Sequence, residues 1–209
     1  MKCGKTSQNC TVWCCKDCIF KVRSTDYVRC VIVKKRSQMT ENNRKMTNED
    51  EIKNVLKRLR QTMKDQFDRH VSVQDLLSDR WETAKFYGFG EGTSCYNNVL
   101  ILGDVKVGKN TWIGPNVILD GSGGLEIGDY VSISAGVQIY SHHTVDWSVS
   151  LGSEPLKRKN TSVGSGVYLG PNSIIQMGVS IGDKAVVGAM SFVNKDIPSG
   201  GKWYGNSLR

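Results

Sequence analysis

The sequence predicts a mainly β protein in which short strands stack into a β-helix. The first observation is a set of aliphatic residues that recurs at a step of six between residues 99 and 193. The second is that another small or apolar residue stands two positions before each of them. The third is that glycine follows many of them, as at Gly108 and Gly170. The thirteen recurring residues are Ile101, Val107, Ile113, Leu119, Ile127, Ile133, Ile139, Val163, Leu169, Ile175, Ile181, Val187 and Val193.

A step of six residues fits neither a helix nor a plain alternating strand. Residues two apart lie on one face of an extended segment, so four strand residues and two turn residues make a repeating unit. Units this short bury a core only by stacking on each other, and a hexapeptide period is typical of β-helices. An ordinary sandwich would need turns every 8–12 residues. The glycines suit turns that require either a positive φ or close approach of two backbones.

The repeat is interrupted twice, and in stacked repeats such insertions form loops that often carry function. The first interruption adds two residues around Asp120 and the glycines that follow it. The second adds eighteen residues between Ile139 and Val163, and it begins with Tyr140, Ser141 and the pair His142-His143. These two loops are therefore the first places to look for a site.

Three segments carry a family resemblance: V-G-K-N-T-W-I-G-P-N-V-I-L, I-G-D-Y-V-S-I-S-A-G-V-Q-I and V-G-S-G-V-Y-L-G-P-N-S-I-I-Q-M-G-V-S-I-G-D-K-A-V-V-G-A. They resemble the left-handed β-helix acyltransferases of the hexapeptide-repeat superfamily. The closing segment, V-N-K-D-I-P and G-N-S-L-R, is similar to the galactoside and maltose acetyltransferases and their polysaccharide-biosynthesis relatives. The resemblance covers about residues 75–209. It implies a left-handed parallel β-helix with three hexapeptides per coil, hence about four coils, and a homotrimer with shared sites.

The chain divides into three predicted parts: an extension over residues 1–45, a helical cap over 46–90 and the β-helix over 91–209. The extension holds eleven basic and three acidic residues, which accounts for the whole net charge of +8. The remainder is neutral, so the charge does not predict a nucleic-acid partner for the repeat. No apolar run approaches the length of a membrane span.

Six of the seven cysteines lie in the extension. Cys15 and Cys18 could bind zinc, with Cys10 and Cys30 as further thiolates. A basic, weakly ordered extension is the alternative, and a start at Met39 or Met46 is a third. Nothing there resembles a cleavable signal peptide, so we expect a cytoplasmic protein without a disulfide framework.

Residues 46–90 have helical patterns. Thr47 with Asp50 predicts a helix start, and apolar residues then recur at helical spacing from Ile52 to Phe67. Ser72 predicts the start of a second helix that Gly88 ends. We expect these helices to cover the open edge of the first coil, and they could also line an acceptor pocket.

The family resemblance implies a histidine general base in the long insertion. We expect His142 in that role, with His143 as the reserve, because neutral imidazole suits proton abstraction near pH 7. Asp120 could hold an acceptor hydroxyl or orient the imidazole, or it could serve only the Asp-Gly turn. Trp147 could stack on a sugar ring or pack the loop.

The resemblance also implies where acetyl-CoA binds. The pantetheine arm would lie along Gly170, Pro171 and Ala189 and reach Asn194. Lys195 and Arg209 would meet the phosphates. Pro171 stands where the galactoside enzymes have serine, and Arg209 is the last residue, without the usual C-terminal helix after it.

The predicted function is therefore transfer of an acetyl group from acetyl-CoA to a hydroxyl or amine of a sugar or nucleotide sugar, in surface polysaccharide biosynthesis. A carbonic anhydrase of this fold would need three converging histidines, whereas the insertion offers one adjacent pair, so no metal is expected in the repeat. A non-catalytic β-helix scaffold is the main alternative.

Overall fold

A computed structural model of the chain describes residues 46–205 and 207–208. The chain divides into two units, Met1–Lys53 and Asn54–Arg209, and all the stacked strands belong to the second. The extension over residues 1–45, with its cysteines and its possible zinc ligands, lies outside the described residues, as does Arg209. The β-helix that the repeat predicts is present, with parallel pairing throughout its stacked strands.

The inward residues at the six-residue step form three columns, which define three faces. Face A contains Cys95, Ile113, Ile133, Leu169, Val187 and Trp203. Face B contains Ile101, Leu119, Ile139, Ile175 and Val193. Face C contains Val107, Ile127, Val163, Ile181 and Ile197. Each residue pairs in register with the next one of its column, so aliphatic side chains stack along most of the core.

The strands are short because each face of a coil is only a few residues wide. Face A is made of β1 (Ser94–Cys95), β3 (Trp112–Ile113), β5 (Ser132–Ile133), β10 (Tyr168–Leu169), β13 (Val186–Val187) and β15 (Lys202–Tyr204). The long strands β2 (Leu100–Val107) and β4 (Ile118–Ile127) run through faces B and C. Face B adds β6 (Gln138–Ile139), β11 (Ile174–Ile175) and β14 (Phe192–Val193), and face C adds β9 (Thr161–Val163) and β12 (Ser180–Ile181). At the end of the described chain, β16 (Ser207–Leu208) pairs antiparallel with β15.

The prediction of about four coils was too low. We call each inward residue of a column, with its strand, a rung. The structure has six rungs on face A and five on each of the other faces, hence between five and six coils. Three of these rungs were not among the thirteen aliphatic residues counted in the sequence. Cys95 is not aliphatic, Ile197 follows Val193 after only four residues, and Trp203 is aromatic. Cys95 therefore belongs to the first coil rather than preceding the coils.

The core is continuous through these columns. Most inward residues are almost fully buried, and so are most of the small residues two positions before them, among them Val117, Val137 and Ala185. Ile101, at the start of the face B column, is only partly buried. The glycines after the inward residues serve close approach of neighbouring coils, because a Cβ on Gly170 would lie 2.5 Å from the backbone nitrogen of Ala189. Positive φ occurs two residues later, as at Asn172 with φ of 55°.

Three helices precede the coils: α1 (Asn48–Phe67), α2 (Val73–Leu77) and α3 (Arg80–Phe86). The predicted start of α1 is confirmed, because the Thr47 hydroxyl accepts the Asp50 N–H at 3.2 Å. The second predicted helix is instead two helices. The chain becomes extended at Ser78, and the Asp79 carboxylate caps α3 by accepting the backbone N–H groups of Trp81 and Glu82.

The helical segment extends the face C column by one coil. Gly90 donates its N–H to the Val107 carbonyl at 2.9 Å, as Gly108 does to Ile127 at 2.8 Å. Phe89 therefore stands above Val107, and it is buried in the core together with Ala84 of α3. Among its described residues, α1 buries none.

Candidate active site

The long insertion leaves the β-helix at the BC edge, which we define as the set of turns that join face B to face C. After Ile139 the chain forms β7 (His142–His143), α4 (Val145–Val149) and β8 (Lys157–Arg158). Strands β7 and β8 pair antiparallel, with His143 opposite Lys157. Lys157 also forms an ion pair of 2.6 Å with Asp146 of α4. The insertion is therefore a small closed hairpin and not an open loop.

Asp120 lies one coil before this hairpin on the same edge, since Leu119 and Ile139 are register partners. Its side chain is fully buried, which is rare for a carboxylate unless hydrogen bonds satisfy it. Oδ1 accepts the Ser122 N–H at 3.0 Å, and Oδ2 accepts the N–H groups of Ser141 at 2.9 Å and His142 at 3.1 Å. Three backbone donors thus fix the orientation of this carboxylate.

The same oxygen contacts the His142 ring. Oδ2 of Asp120 lies 2.5 Å from Nδ1 of His142. Burial raises the pKa of Asp120, but the hydrogen bonds from Ser122, Ser141 and His142 outweigh burial and lower the pKa to about 2. Asp120 is therefore a carboxylate at neutral pH, so it accepts the proton on Nδ1 and leaves the lone pair of a neutral imidazole on Nε2.

Ser141 is part of this arrangement, although the sequence singled it out only as the residue before the histidine pair. It is buried, and its Oγ accepts the N–H of Gly123 at 2.7 Å. Its own N–H is one of the donors to Asp120. Ser141 thus ties the first interruption of the repeat to the second. No sequence pattern identified this contact, because it depends on how successive coils stack.

His143 and Trp147 lie further out in the insertion. The His143 ring does not contact Asp120, and its Nδ1 accepts the Val145 N–H at 3.3 Å. Trp147 lies on α4 with half of its surface exposed, and its indole is 3.6 Å from where a Cβ on Gly152 would lie. Of the two histidines, His142 alone lies within hydrogen-bond distance of a carboxylate in the described part of the chain, whereas His143 lies near Asp146 and helps to lower the pKa of that carboxyl group.

The residues expected to bind the acyl donor divide between two edges. Gly170, Pro171 and Ala189 lie on the AB edge, defined as the turns between faces A and B, where Pro171 accepts the Met190 N–H at 2.9 Å. Asn194 and Lys195 lie on the BC edge, in the same column of turns as Asp120, and both are exposed. The structure thus brings Asn194 and Lys195 to the edge that carries His142.

Cys95 is unsuited to nucleophilic chemistry. It is the one cysteine among the described residues, it is fully buried, and burial raises the pKa of its thiol to about 12. A thiol in that state is protonated at neutral pH and is a poor nucleophile.

Two further properties concern the described chain as a whole. Between residues 46 and 205, no three histidine, cysteine, aspartate or glutamate side chains converge as metal ligands would. In the same part of the chain, no helix combines the length and the hydropathy that crossing a bilayer requires.

Comparison with known proteins identifies the repeat and the fold. The family model described as "Hexapeptide repeat of succinyl-transferase" matches residues 104–141 and 160–195. No curated protein matches the chain. Among solved structures, AntD, an N-acyltransferase from Bacillus cereus in complex with dTDP and 3-hydroxybutyryl-CoA, is 22% identical with a TM-score of 0.52, covering 58% of this chain and 69% of AntD.

A variant of AntD in complex with dTDP-4-amino-4,6-dideoxyglucose and coenzyme A gives the same TM-score of 0.52 at 21% identity. That match covers 61% of this chain and 85% of the AntD chain. At this identity the likeness concerns the fold. Residues 104–141 and 160–195 thus carry a hexapeptide repeat, and the chain has the β-helical fold seen in these N-acyltransferases.

Proposed function

We propose that this protein transfers an acyl group, acetyl in the first instance, from acyl-CoA to a hydroxyl or amine of a sugar or nucleotide sugar. The observation that carries the proposal is the contact of 2.5 Å between His142 Nδ1 and the buried Asp120 carboxylate. A buried carboxylate that orients an imidazole and stabilises the imidazolium is an arrangement that prepares histidine for general-base catalysis. The hexapeptide repeat and the N-acyltransferase fold support acyl transfer as the reaction class.

The proposed reaction is a direct transfer. Nε2 of His142 accepts the proton of the acceptor hydroxyl or amine while that oxygen or nitrogen attacks the thioester carbon. The tetrahedral oxyanion forms against a backbone N–H. When it collapses, the carbon–sulfur bond breaks, and the imidazolium returns the proton to the departing CoA sulfur. Asp120 stays ionised throughout and stabilises the imidazolium. Asp120 is a positioning residue because its buried side chain has no surface for substrate.

On the donor side, the proposal assigns Lys195 to the CoA phosphates and Asn194 to the pantetheine arm. Both are exposed and stand on the BC edge with His142. A lysine binds phosphate as a point charge on a flexible stem. Gly170, Pro171 and Ala189 stand on the AB edge, so they would contact a donor bound to a neighbouring copy of the chain.

The proposal includes a homotrimer, and the outward residues of face B support it. Four of its five outward residues are apolar, and Leu100 and Phe192 leave 50% and 38% of their surfaces exposed. Face C, by contrast, presents Lys106, Glu126, Ser162 and Ser180 outward. An apolar column as long as the β-helix fits a heterologous contact that closes around a threefold axis. His142 comes shortly after the face B strand that ends at Ile139, so it lies at the border of that contact.

The test is release of CoA from acetyl-CoA in the presence of a panel of amino and neutral nucleotide sugars, with the acylated product measured by mass. The variant His142→Ala should lose turnover by about a thousandfold or more and still bind CoA by calorimetry. His143→Ala is the matched control and should retain most of the activity. Equal turnover in the wild-type protein and His142→Ala would refute the role of His142. The proposed role in surface polysaccharide biosynthesis depends on which acceptor the panel identifies.

A further inference from the structure

A cleft lies on the outside of face A, near the helical segment. It encloses about 360 Å³ and is lined by side chains from the helices and from the first three rungs of face A. The charged and aromatic members of its lining are Arg69, Arg80, Trp81, Tyr96 and Trp112. No acidic residue lines this cleft. It is distinct from the proposed active site, because His142 lies on the BC edge, whereas the cleft lies on face A.

Two arginines, Arg69 and Arg80, supply the positive charge of this cleft. The Arg80 guanidinium is 4.7 Å from the centre of the Tyr96 ring and 5.3 Å from that of Trp81. These cation–π contacts hold the guanidinium beside the two rings and use none of its N–H donors. In the region of the chain that the structure describes, neither Arg69 nor Arg80 pairs with a carboxylate. Two unpaired guanidiniums in one cleft suit a phosphate or diphosphate, which arginine binds with two donors at once.

The aspartates nearest to this cleft line the adjoining cavity of about 100 Å³. Asp79 already accepts two backbone N–H groups at the start of α3. Asp75 accepts the Ser72 hydroxyl at 2.8 Å on Oδ2, and its Oδ1 is buried without a hydrogen-bond partner. Neither carboxylate forms an ion pair with Arg69 or Arg80 in the described part of the chain, so both guanidiniums remain available to an outside anion.

Two tryptophans of the cleft lining have more than half of their surface exposed. Trp112 points outward from β3 with 66% of its surface exposed, and Trp81 is 52% exposed. An exposed tryptophan beside a cleft offers a flat surface on which a planar ring stacks. Ser94 and Ser132, the outward residues of β1 and β5, border Trp112 in register and add hydroxyl groups to the floor of the cleft.

We propose that this cleft binds a nucleotide, with its phosphates on Arg69 and Arg80 and its base stacked on Trp112. A neutral sugar would use the tryptophans but not the unpaired guanidiniums, and a simple anion would use the guanidiniums but not the tryptophans. A nucleotide uses both. Free nucleotides, nucleotide sugars and the adenosine diphosphate part of CoA share this chemistry. The site stands independently of the proposed acyl transfer.

The test is calorimetric titration of the full-length protein with UDP and ADP, which distinguish a pyrimidine from a purine source, and with pyrophosphate and uridine alone. We expect at least one nucleotide to bind more tightly than both pyrophosphate and uridine, and rising salt to weaken its binding. Trp112→Ala should weaken binding about tenfold, as loss of base stacking does, and Trp112→Phe should retain most of it. Arg80→Gln combined with Arg69→Gln should weaken it at least as much.

Tyr130→Ala is the matched control, because Tyr130 is an aromatic residue with 67% exposure that lies outside the cleft. It should bind nucleotide as the wild-type protein does, and so should His142→Ala. Circular dichroism and the thermal midpoint establish that each variant is folded. The proposal is overturned if no nucleotide binds, if pyrophosphate binds as tightly as the nucleotide, or if the Trp112 and arginine variants bind with wild-type affinity.

Discussion

The carboxylate of Asp120 lies 2.5 Å from Nδ1 of His142, although 22 residues separate the two in the chain. The contact follows from stacking. Asp120 follows Leu119, and His142 comes shortly after Ile139. Leu119 and Ile139 are register partners on face B. Two interruptions of the repeat that are distant in sequence therefore form one structure on the BC edge.

The variant Asp120→Asn tests whether this contact orients the imidazole. Either orientation of the asparagine amide turns its NH₂ group toward at least one backbone N–H that the carboxylate now accepts. The ring would lose its fixed orientation and the nearby charge that stabilises the imidazolium. We expect kcat to fall by roughly 10²–10⁴-fold with a much smaller change in KM for the acceptor. A KM effect alone, at unchanged kcat, would instead indicate a role in acceptor binding.

Acid should destabilise the protein through the same carboxylate. Its pKa is about 2 in the folded protein and 3.8 ordinarily, so the unfolded chain binds the proton more readily. The stabilisation, about 2 kcal/mol, is present above pH 4 and is lost as the pH falls toward 2. The urea midpoint of Asp120→Asn should lie below that of the wild-type protein at pH 6, and this difference should be smaller at pH 3. Equal differences between the two proteins at both pH values would contradict this assignment.

The fold was predictable because its determinants are local. Inward and outward positions alternate with period two, and the coils repeat with period six, so the buried columns could be read from residues such as Ile133 and Leu169. The terminal rungs could not be read in this way, since Cys95 and Trp203 break the aliphatic pattern and Ile197 breaks the spacing. The break between α2 and α3 was missed because Asp79 caps a helix within an apolar pattern that reads as continuous.

The candidate site was only partly predictable. The long insertion marked His142, since a solenoid places its insertions on one edge. Which imidazole meets Asp120, and the part that Ser141 plays, depend on the register between coils, which a list of repeats does not contain. The cleft around Arg80 could not be predicted from the sequence either, because it joins residues of the helical segment to Trp112 and Ser132 of face A.

The buried columns should make single core truncations costly. Leu169 is fully buried between Ile133 and Val187 on face A. Leu169→Ala leaves a cavity that these neighbours cannot fill without shifting their own rungs, so we expect a loss of about 2–5 kcal/mol in the free energy of unfolding, measured in urea. Its neighbour Tyr168 points outward, and Tyr168→Ala should cost less than about 1 kcal/mol. Similar losses for both variants would contradict the assignment of inward and outward positions.

The apolar column on face B should be needed for assembly. Phe192 stands outward on that face with 38% of its surface exposed. Phe192→Glu would place a charge in the proposed contact between copies of the chain, where an unpaired buried carboxylate is strongly unfavourable. We expect a trimer for the wild-type protein and a monomer for Phe192→Glu by light scattering after gel filtration, with acyl transfer lost because the site is shared. Ser199→Glu, an exposed turn residue between faces C and A, should remain assembled. A wild-type protein that is monomeric and fully active would show that one chain forms the complete site.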